Sequence, residues 1–300
     1  MLSILIPTYN FDCLLLIRNL YVQCEALREA KGEFDYEIIV VDDASPDKAL
    51  VKRLRDGVEA LECERVRLVV LPENLRQAAV RNVLMRKAVG EWLLFIDSDA
   101  EVVSDDFVSR YWQHRFEGDA VVGGIVHPRT VRRGYELRIA YEKSYEKKRG
   151  LDWRKRHPYA IFTAFNLLIR REVMVRYGFD EHCREYGYED FLLGVALERD
   201  RVRVAHIDNP LLHTGIDKSE VFLKKTEIGV RTLLALPAEL QAKVGLSKLA
   251  LRLKKCKVDG VVRCLLNVLR PALRKQLLSA RPSVFLLQLY KLGGYLNGME

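Results

Sequence analysis

The sequence is short of nearly everything that would staple, anchor or export a chain. Its six cysteines stand at 13, 24, 63, 183, 256 and 264, with no pair at CxxC spacing. That scatter excludes a zinc ribbon and a disulfide framework, and it suits reduced thiols in the cytosol. No apolar run reaches the ~18 residues expected of a spanning helix; the run at 158–169 is too short. The opening stretch, MLSILIPTYNFD, has no basic n-region and no small-residue cleavage site, so it does not read as a signal peptide. Low-complexity segments and internal repeats are missing. So are any Ser-His-Asp or Cys-His arrangement that stands out and any Gly-rich phosphate loop after the first apolar run.

What is present is a 300-residue chain with 49% hydrophobic and 30% charged residues. That balance argues against wholesale disorder, and the length is enough to bury a core without disulfides. The formal net charge is +8, but it is unevenly placed. Residues 243–300 hold twelve Lys/Arg and only two acids, Asp259 and Glu300, for a local charge of +10. Residues 1–242 carry −2. A near-neutral body with a basic C-terminal segment points that segment towards nucleic acid or an anionic membrane.

The first 126 residues alternate between two periods. Apolar runs at Leu2–Pro7, Tyr36–Val41, Val66–Leu71, Glu91–Ile96 and Asp119–Val126 read as strands. Helical patterns lie between them at 14–30, 47–61, 77–89 and 105–114. Such alternation predicts an α/β fold with a mostly parallel sheet and helices on both faces. Further on, the pattern predicts helix over 135–149, strand over 162–169, helices over 171–177 and 189–199, strand over 202–207 and helix over 217–236. Helices then fill most of 239–296, broken at Pro237, Gly245, Gly260, Pro271 and Pro282. The change in charge and the end of the strands divide the chain into 1–236 and a basic amphipathic tail, 237–300.

In sheets of this kind ligands sit beyond the carboxyl ends of the strands. Three of those ends are polar: Pro7-Thr8-Tyr9-Asn10, Asp42-Asp43-Ala44-Ser45 and Asp97-Ser98-Asp99. In extended chain, Asp97 and Asp99 would point to one side and could share a divalent cation. Taken alone, the same acids read as helix caps, and Ser45-Pro46-Asp47 looks like a cap with Pro in the first turn. Tyr9 reads as a core aromatic or a stacking platform. Glu189 and Asp190 suit the positive end of a helix, or a general base held near a hydroxyl. His213, alone in an apolar run, reads as a core histidine unless a carboxylate-held metal lies near it.

The motifs resemble a known family when taken in order. Ile6-Pro7-Thr8-Tyr9-Asn10, Val40-Val41-Asp42-Asp43-Ala44-Ser45, Asn74 through Arg81-Asn82, Gly90-Glu91-Trp92 to Asp97-Ser98-Asp99, and Gly178-Phe179-Asp180-Glu181 to Gly187-Tyr188-Glu189-Asp190 are similar to family 2 glycosyltransferases of the GT-A fold. The resemblance covers roughly 3–236 and not the tail. It implies that Pro7 and Tyr9 line the nucleotide base, that Asp42 accepts a hydrogen bond from it, and that Arg81 assists the nucleotide site. It implies that Asp97 faces the ribose and donor sugar, and that Asn166 lines the donor-sugar pocket. Asp99 would ligate Mg²⁺ or Mn²⁺ with His213 as a further ligand. Asp190 would be the inverting base, with Glu189 beside it.

Two departures stand out. Arg76 occupies a place where many members have glycine, and the Gln-x-x-Arg-Trp motif of polymerising members is missing after Asp190. The second departure implies transfer of one sugar rather than processive synthesis.

The expected partners are therefore a nucleotide-diphosphate sugar, UDP-sugar favoured, and an acceptor saccharide or lipid-linked saccharide. The setting would be cell-surface polysaccharide or glycolipid assembly, in the cytoplasm or on the inner face of the membrane. Residues 243–300 would provide contact with an anionic leaflet, or form a helical subdomain packed on the enzyme. A sugar-phosphate nucleotidyltransferase is a rival reading, weakened by the missing Gly-rich loop. A nucleic-acid-binding protein is another; the tail lacks the interleaved aromatics it would use, so no nucleic-acid partner is expected.

Overall fold

The computed structural model describes residues 1–128, 130, 132–183 and 187–298. Ten strands are assigned: β1 (Leu2–Thr8), β2 (Tyr36–Asp42), β3 (Val66–Val70), β4 (Trp92–Ile96), β5 (Ala100–Val102), β6 (Ala120–Val122), β7 (Ile125–Val126), β8 (Asn166–Arg170), β9 (Val204–His206) and β10 (Leu211–His213). The first nine helices are α1 (Leu14–Ala30), α2 (Lys48–Glu59), α3 (Arg76–Lys87), α4 (Phe107–His114), α5 (Glu136–Ser144), α6 (Glu146–Arg149), α7 (Leu151–Arg156), α8 (Arg171–Tyr177) and α9 (Glu189–Arg199). The C-terminal helices are α10 (Ser219–Ala235), α11 (Ala238–Gln241), α12 (Gly245–Lys255), α13 (Asp259–Leu277) and α14 (Val284–Asn297).

Seven strands form the main sheet in the order β3-β2-β1-β4-β8-β6-β9. All neighbours run parallel except β8, which is antiparallel to both β4 and β6. Alternate residues of each strand feed opposite faces. Leu2, Ile4 and Ile6 pack with Leu16, Ile17 and Leu20 of α1. Leu5, Ile39 and Val41 pack with Leu84 of α3 and Leu193 and Leu197 of α9. Burial on both faces explains why the strands read as unbroken apolar runs.

Several local expectations are corrected. The run Asp119–Val126 is two strands in different sheets, because Gly123 and Gly124 break it and Gly124 takes φ +106°. The stretch 135–149 is α5 and α6 rather than one helix. Two short strands, β5 and β10, were not foreseen; with β7 they form a second sheet. Pro46 precedes α2 rather than entering its first turn, and Asp47 is the cap, accepting from Ala49 N and Leu50 N at 3.0 Å each. Pro271 lies inside α13 without ending it. The carbonyl it deprives of a donor is that of Asn267, an exposed residue.

The chain divides into two compact units. The first comprises 1–128, 147–184 and 189–215 and contains the main sheet. The second comprises 129–146, 185–188 and 216–300. In it α10 and α12–α14 share a core that includes Leu223, Leu233, Leu266, Leu287 and Tyr295. Among the described residues no helix is long and apolar enough to cross a membrane.

Candidate active site

The strand ends of the first unit are tied together by short side chains. Asp42, at the end of β2, is fully buried. One of its oxygens accepts from Ser45 N at 2.9 Å and the other from Ser45 Oγ. Ser45 Oγ in turn accepts from Asn10 N at 2.7 Å, which links the loops after β1 and β2. Tyr9, just past β1, stays 52% exposed, so its ring is a surface feature rather than a core one. Pro7 is half-buried beside it. Asp43 caps α3, accepting from Leu75 N at 2.7 Å and Arg76 N at 3.0 Å. Burial raises its pKa, and those two amide bonds oppose the rise.

The centre of the site is Arg81. Helix α3 carries it into the interior, where its side chain is 1% exposed. Its Nη2 donates to Asp97 Oδ1 at 2.6 Å, and its Nη1 to Asp190 Oδ1 at 3.1 Å. Glu189 Oε1 stands 3.7 Å from the same Nη1. The Phe179 ring lies 5.2 Å from the guanidinium carbon, a cation–π contact. The second Asp190 oxygen accepts from Thr163 Oγ1 at 2.9 Å. Residues from the end of β4, the loop after α8 and the start of α9 thus converge on the guanidinium that α3 carries, and the loop before β8 holds Asp190 by its other oxygen.

The electrostatics follow from burial. Desolvation works to lower the Arg81 pKa, but Asp97, Asp190 and Glu189 outweigh it and the net shift is upward. Asp97 is raised by burial first and by neighbouring carboxylates, with Arg81 pulling the other way. Glu189 is pushed to about 7, by burial first and then by Asp190.

Among the described residues, Asp97 and Asp99 face different side chains. The chain turns at Ser98 and Asp99 instead of staying extended, with Ala100 N donating to Asp97 O at 3.1 Å. Asp97 therefore faces Arg81, whereas Asp99 faces His213. The pairing of β5 with β10 sets His213 opposite Ala100. Asp99 Oδ2 and His213 Nε2 are then 3.0 Å apart. Thr214 fixes the Asp99 backbone, donating to its carbonyl through N at 2.9 Å and Oγ1 at 2.8 Å. A side chain at Gly215 would put its Cβ 2.0 Å from Asp99 Oδ2, so only glycine leaves that carboxylate its place.

This pair fits a divalent cation. Asp99 Oδ2 and His213 Nε2 stand at hydrogen-bond distance, 3.0 Å, so the two donors already face one another and could hold such an ion. The carboxylate is a donor of the kind that suits Mg²⁺ or Mn²⁺, and the imidazole one that suits transition metals. His213 Nδ1 is buried without a hydrogen-bond partner, and the ring is held edge-on against Phe165 and His127 at 5.2 and 5.5 Å between centroids. Among the described residues no three His, Cys, Asp or Glu side chains gather as a metal group. A two-ligand site would leave the other positions to water and phosphate oxygens, the usual habit of Mg²⁺.

Asn166 is deeply buried at the start of β8. Its Oδ1 accepts from Tyr111 OH at 2.6 Å, and its Nδ2 donates to the Gly124 and Asn209 carbonyls at 2.9 and 2.8 Å. Its amide is thus spent within the protein. Sequence reasoning missed Thr163 and Phe179. Phe179 lay in a quoted motif, and Thr163 carried no signal at all.

A doubly flanked sheet with acidic and polar strand ends around one buried arginine defines a GT-A glycosyltransferase fold. Residues 3–178 match the family described as glycosyl transferase family 2, and the chain belongs to it. It is 31% identical over 106 residues to an uncharacterized glycosyltransferase of Haemophilus influenzae, covering 35% of this chain and 38% of that one. It is 27% identical over 231 residues to chondroitin synthase of Escherichia coli, covering 66% of this chain and 32% of the relative. The matches thus span well under half the length of these relatives. A mannosyltransferase from Pyrobaculum calidifontis, solved in complex with GDP-Man and Mn²⁺, shares the fold with a TM-score of 0.52 and 19% identity. That likeness covers 77% of this chain and 62% of the mannosyltransferase.

Proposed function

We propose that this chain is an inverting glycosyltransferase that moves a single sugar from a nucleotide-diphosphate sugar to an acceptor hydroxyl, in assembly of a cell-surface polysaccharide or glycolipid. The observation that carries this is the single buried guanidinium joining Asp97 at 2.6 Å and Asp190 at 3.1 Å. In this reading Asp97 meets the ribose and donor sugar, and Asp190 is the base. Asp190 takes the acceptor hydroxyl's proton as that oxygen attacks the anomeric carbon. The bond from that carbon to the diphosphate breaks on the opposite face, so one displacement inverts the centre. Arg81 and Thr163 each hold one Asp190 oxygen, which orients the carboxylate before the acceptor arrives. Glu189, beside it and partly protonated at neutral pH, orients the acceptor without adding a second full charge.

On the donor side, Tyr9 stacks on the base and Pro7 lines it, while Asp42, fully buried, supports that side by holding Ser45, which accepts from Asn10 N next to Tyr9. Arg81 supports this side through Asp97. Asn166 shapes the donor-sugar pocket by fixing the Gly124 and Asn209 carbonyls. Asp99 and His213 would hold Mg²⁺ or Mn²⁺, which supplies Lewis-acid charge on the leaving diphosphate. The mannosyltransferase caught with GDP-Man and Mn²⁺ supports a nucleotide-sugar donor and a divalent ion. A UDP-sugar is the first donor to test.

Asp190→Asn should lower transfer by roughly 10²–10⁴-fold while donor affinity stays within about twofold. Equal loss of transfer and donor binding would reassign Asp190 to the donor site.

The place of work is the cytoplasmic face of an anionic membrane. Val261, Leu265 and Val268 share one face of α13 and are 73%, 56% and 74% exposed. Of the twelve Lys/Arg in 243–300, nine are exposed, and no acid among the described residues of that segment is. An apolar stripe in such a field suits an anionic leaflet, where each nearby cation adds ~1 kcal/mol. A second copy of the chain would bring like charge.

A further inference from the structure

The second unit holds a cavity that the transfer reaction does not use. It has a volume of about 200 Å³ and is lined by Glu227 and Arg231 of α10, Arg270 of α13, and Tyr290, Lys291 and Gly294 of α14. Three cations therefore border it against one carboxylate. That carboxylate is already engaged: Glu227 Oε1 accepts from Tyr290 OH, and Arg270 Nη2 stands 3.4 Å from it. Arg270 also lies over the Tyr290 ring, 5.2 Å from its centroid, which fixes the guanidinium. Lys291 is different. It is half-buried, and among the described residues it makes no hydrogen bond and no ion pair. Burial holds its pKa below the ordinary lysine value.

An amine withdrawn from water without a counter-ion is a cost that a helical bundle could avoid with any apolar residue. The two guanidinium groups of Arg231 and Arg270 that line the same cavity do not supply a counter-ion. The space is also far larger than a single water, whose share of liquid volume is about 30 Å³. Gly294 keeps it open: a Cβ there would only reach ordinary contact with Val230, at 3.7 Å. Two guanidinium groups and an ammonium around a chamber of this size match a doubly charged tetrahedral oxyanion, which accepts from several donors at once.

We propose that this cavity is an anion site for a phosphate-bearing group, with Lys291 as its charge partner. It is separate from the residues placed in the transfer site, so it stands whether or not that reading holds. A soluble phosphate and a phosphomonoester lipid headgroup offer the same chemistry, and the test separates them.

The intact chain is unfolded by heat in EDTA, with inorganic phosphate or with potassium chloride at equal ionic strength. Parallel samples contain vesicles of phosphatidylcholine, with or without phosphatidic acid. Phosphate should raise the transition by about 3 °C in a saturable way, and chloride should not. Lys291→Met should abolish the rise and Lys291→Arg should keep it. Gly294→Leu, which fills the cavity and leaves every charge in place, should abolish it too, so the test does not depend on one variant folding. A response to phosphatidic acid alone, lost in the same variants, assigns the site to a lipid headgroup. A rise of equal size in Lys291→Met and Gly294→Leu, or none with either phosphate source, overturns the proposal.

Discussion

Glu189 shows how strongly position, rather than residue type, sets the behaviour of this site. Its carboxyl is nearly sealed from solvent beside Asp190, and it is held near 7 instead of its ordinary 4.5. Between those values the folded chain keeps a proton that the unfolded chain has released. The stabilising contribution is therefore full below about pH 4.5 and is lost as pH rises through about 7. Glu189→Gln should flatten the decline in unfolding midpoint across that window and raise the midpoint at pH 8. An unchanged slope in the variant would place the titration elsewhere. The sequence shows Glu189, Asp190 and Asp97 as acids at a helix start and a strand end. It does not show that one arginine joins them across 109 residues of chain, because only the tertiary fold brings the Arg81 side chain of α3 to the start of α9. Thr163 was illegible for the same reason: a lone threonine in a loop carries no periodicity and no motif.

At the scale of elements, the helices and parallel strands of the first 100 residues could be read from their apolar patterns, since β1, β2 and β4 are buried on both faces and only the edge strand β3 is partly open. The short strands could not. Two or three residues such as β5, β7 and β10 have no period to detect, yet β5 and β10 are what set Asp99 against His213. Loop conformation was legible in one place by its oddity. Arg76 stands where many family members have glycine, and it takes φ +74° with its N–H donating to Asp43 Oδ2. A side chain in that region is strained, whereas glycine is not. Arg76→Gly should therefore stabilise the protein by about 1 kcal/mol in denaturant unfolding, because the Asp43 bond is to backbone and survives. Destabilisation by the same amount would show that the arginine side chain, rather than backbone strain, dominates at this position.

At the scale of the molecule, charge and chain contacts divide the protein differently. The charge changes at 242, whereas the second compact unit already includes α10 and residues 129–146. Composition records where lysines lie, and it does not record which helix packs on which. The exposed stripe of α13 and its basic surroundings predict binding to phosphatidylglycerol vesicles that weakens as salt rises and falls about tenfold in Val261→Glu/Val268→Glu. Equal partition onto neutral and anionic vesicles at low salt would remove the membrane from the account. Sugar transfer by the first unit is open to one direct measurement. The intact chain is given UDP-, GDP- and dTDP-sugars with Mn²⁺, and nucleoside diphosphate release is followed with and without EDTA. The account predicts release from at least one donor, at a rate that EDTA reduces by an order of magnitude or more. Failure of all three donors in the presence of Mn²⁺ would contradict it.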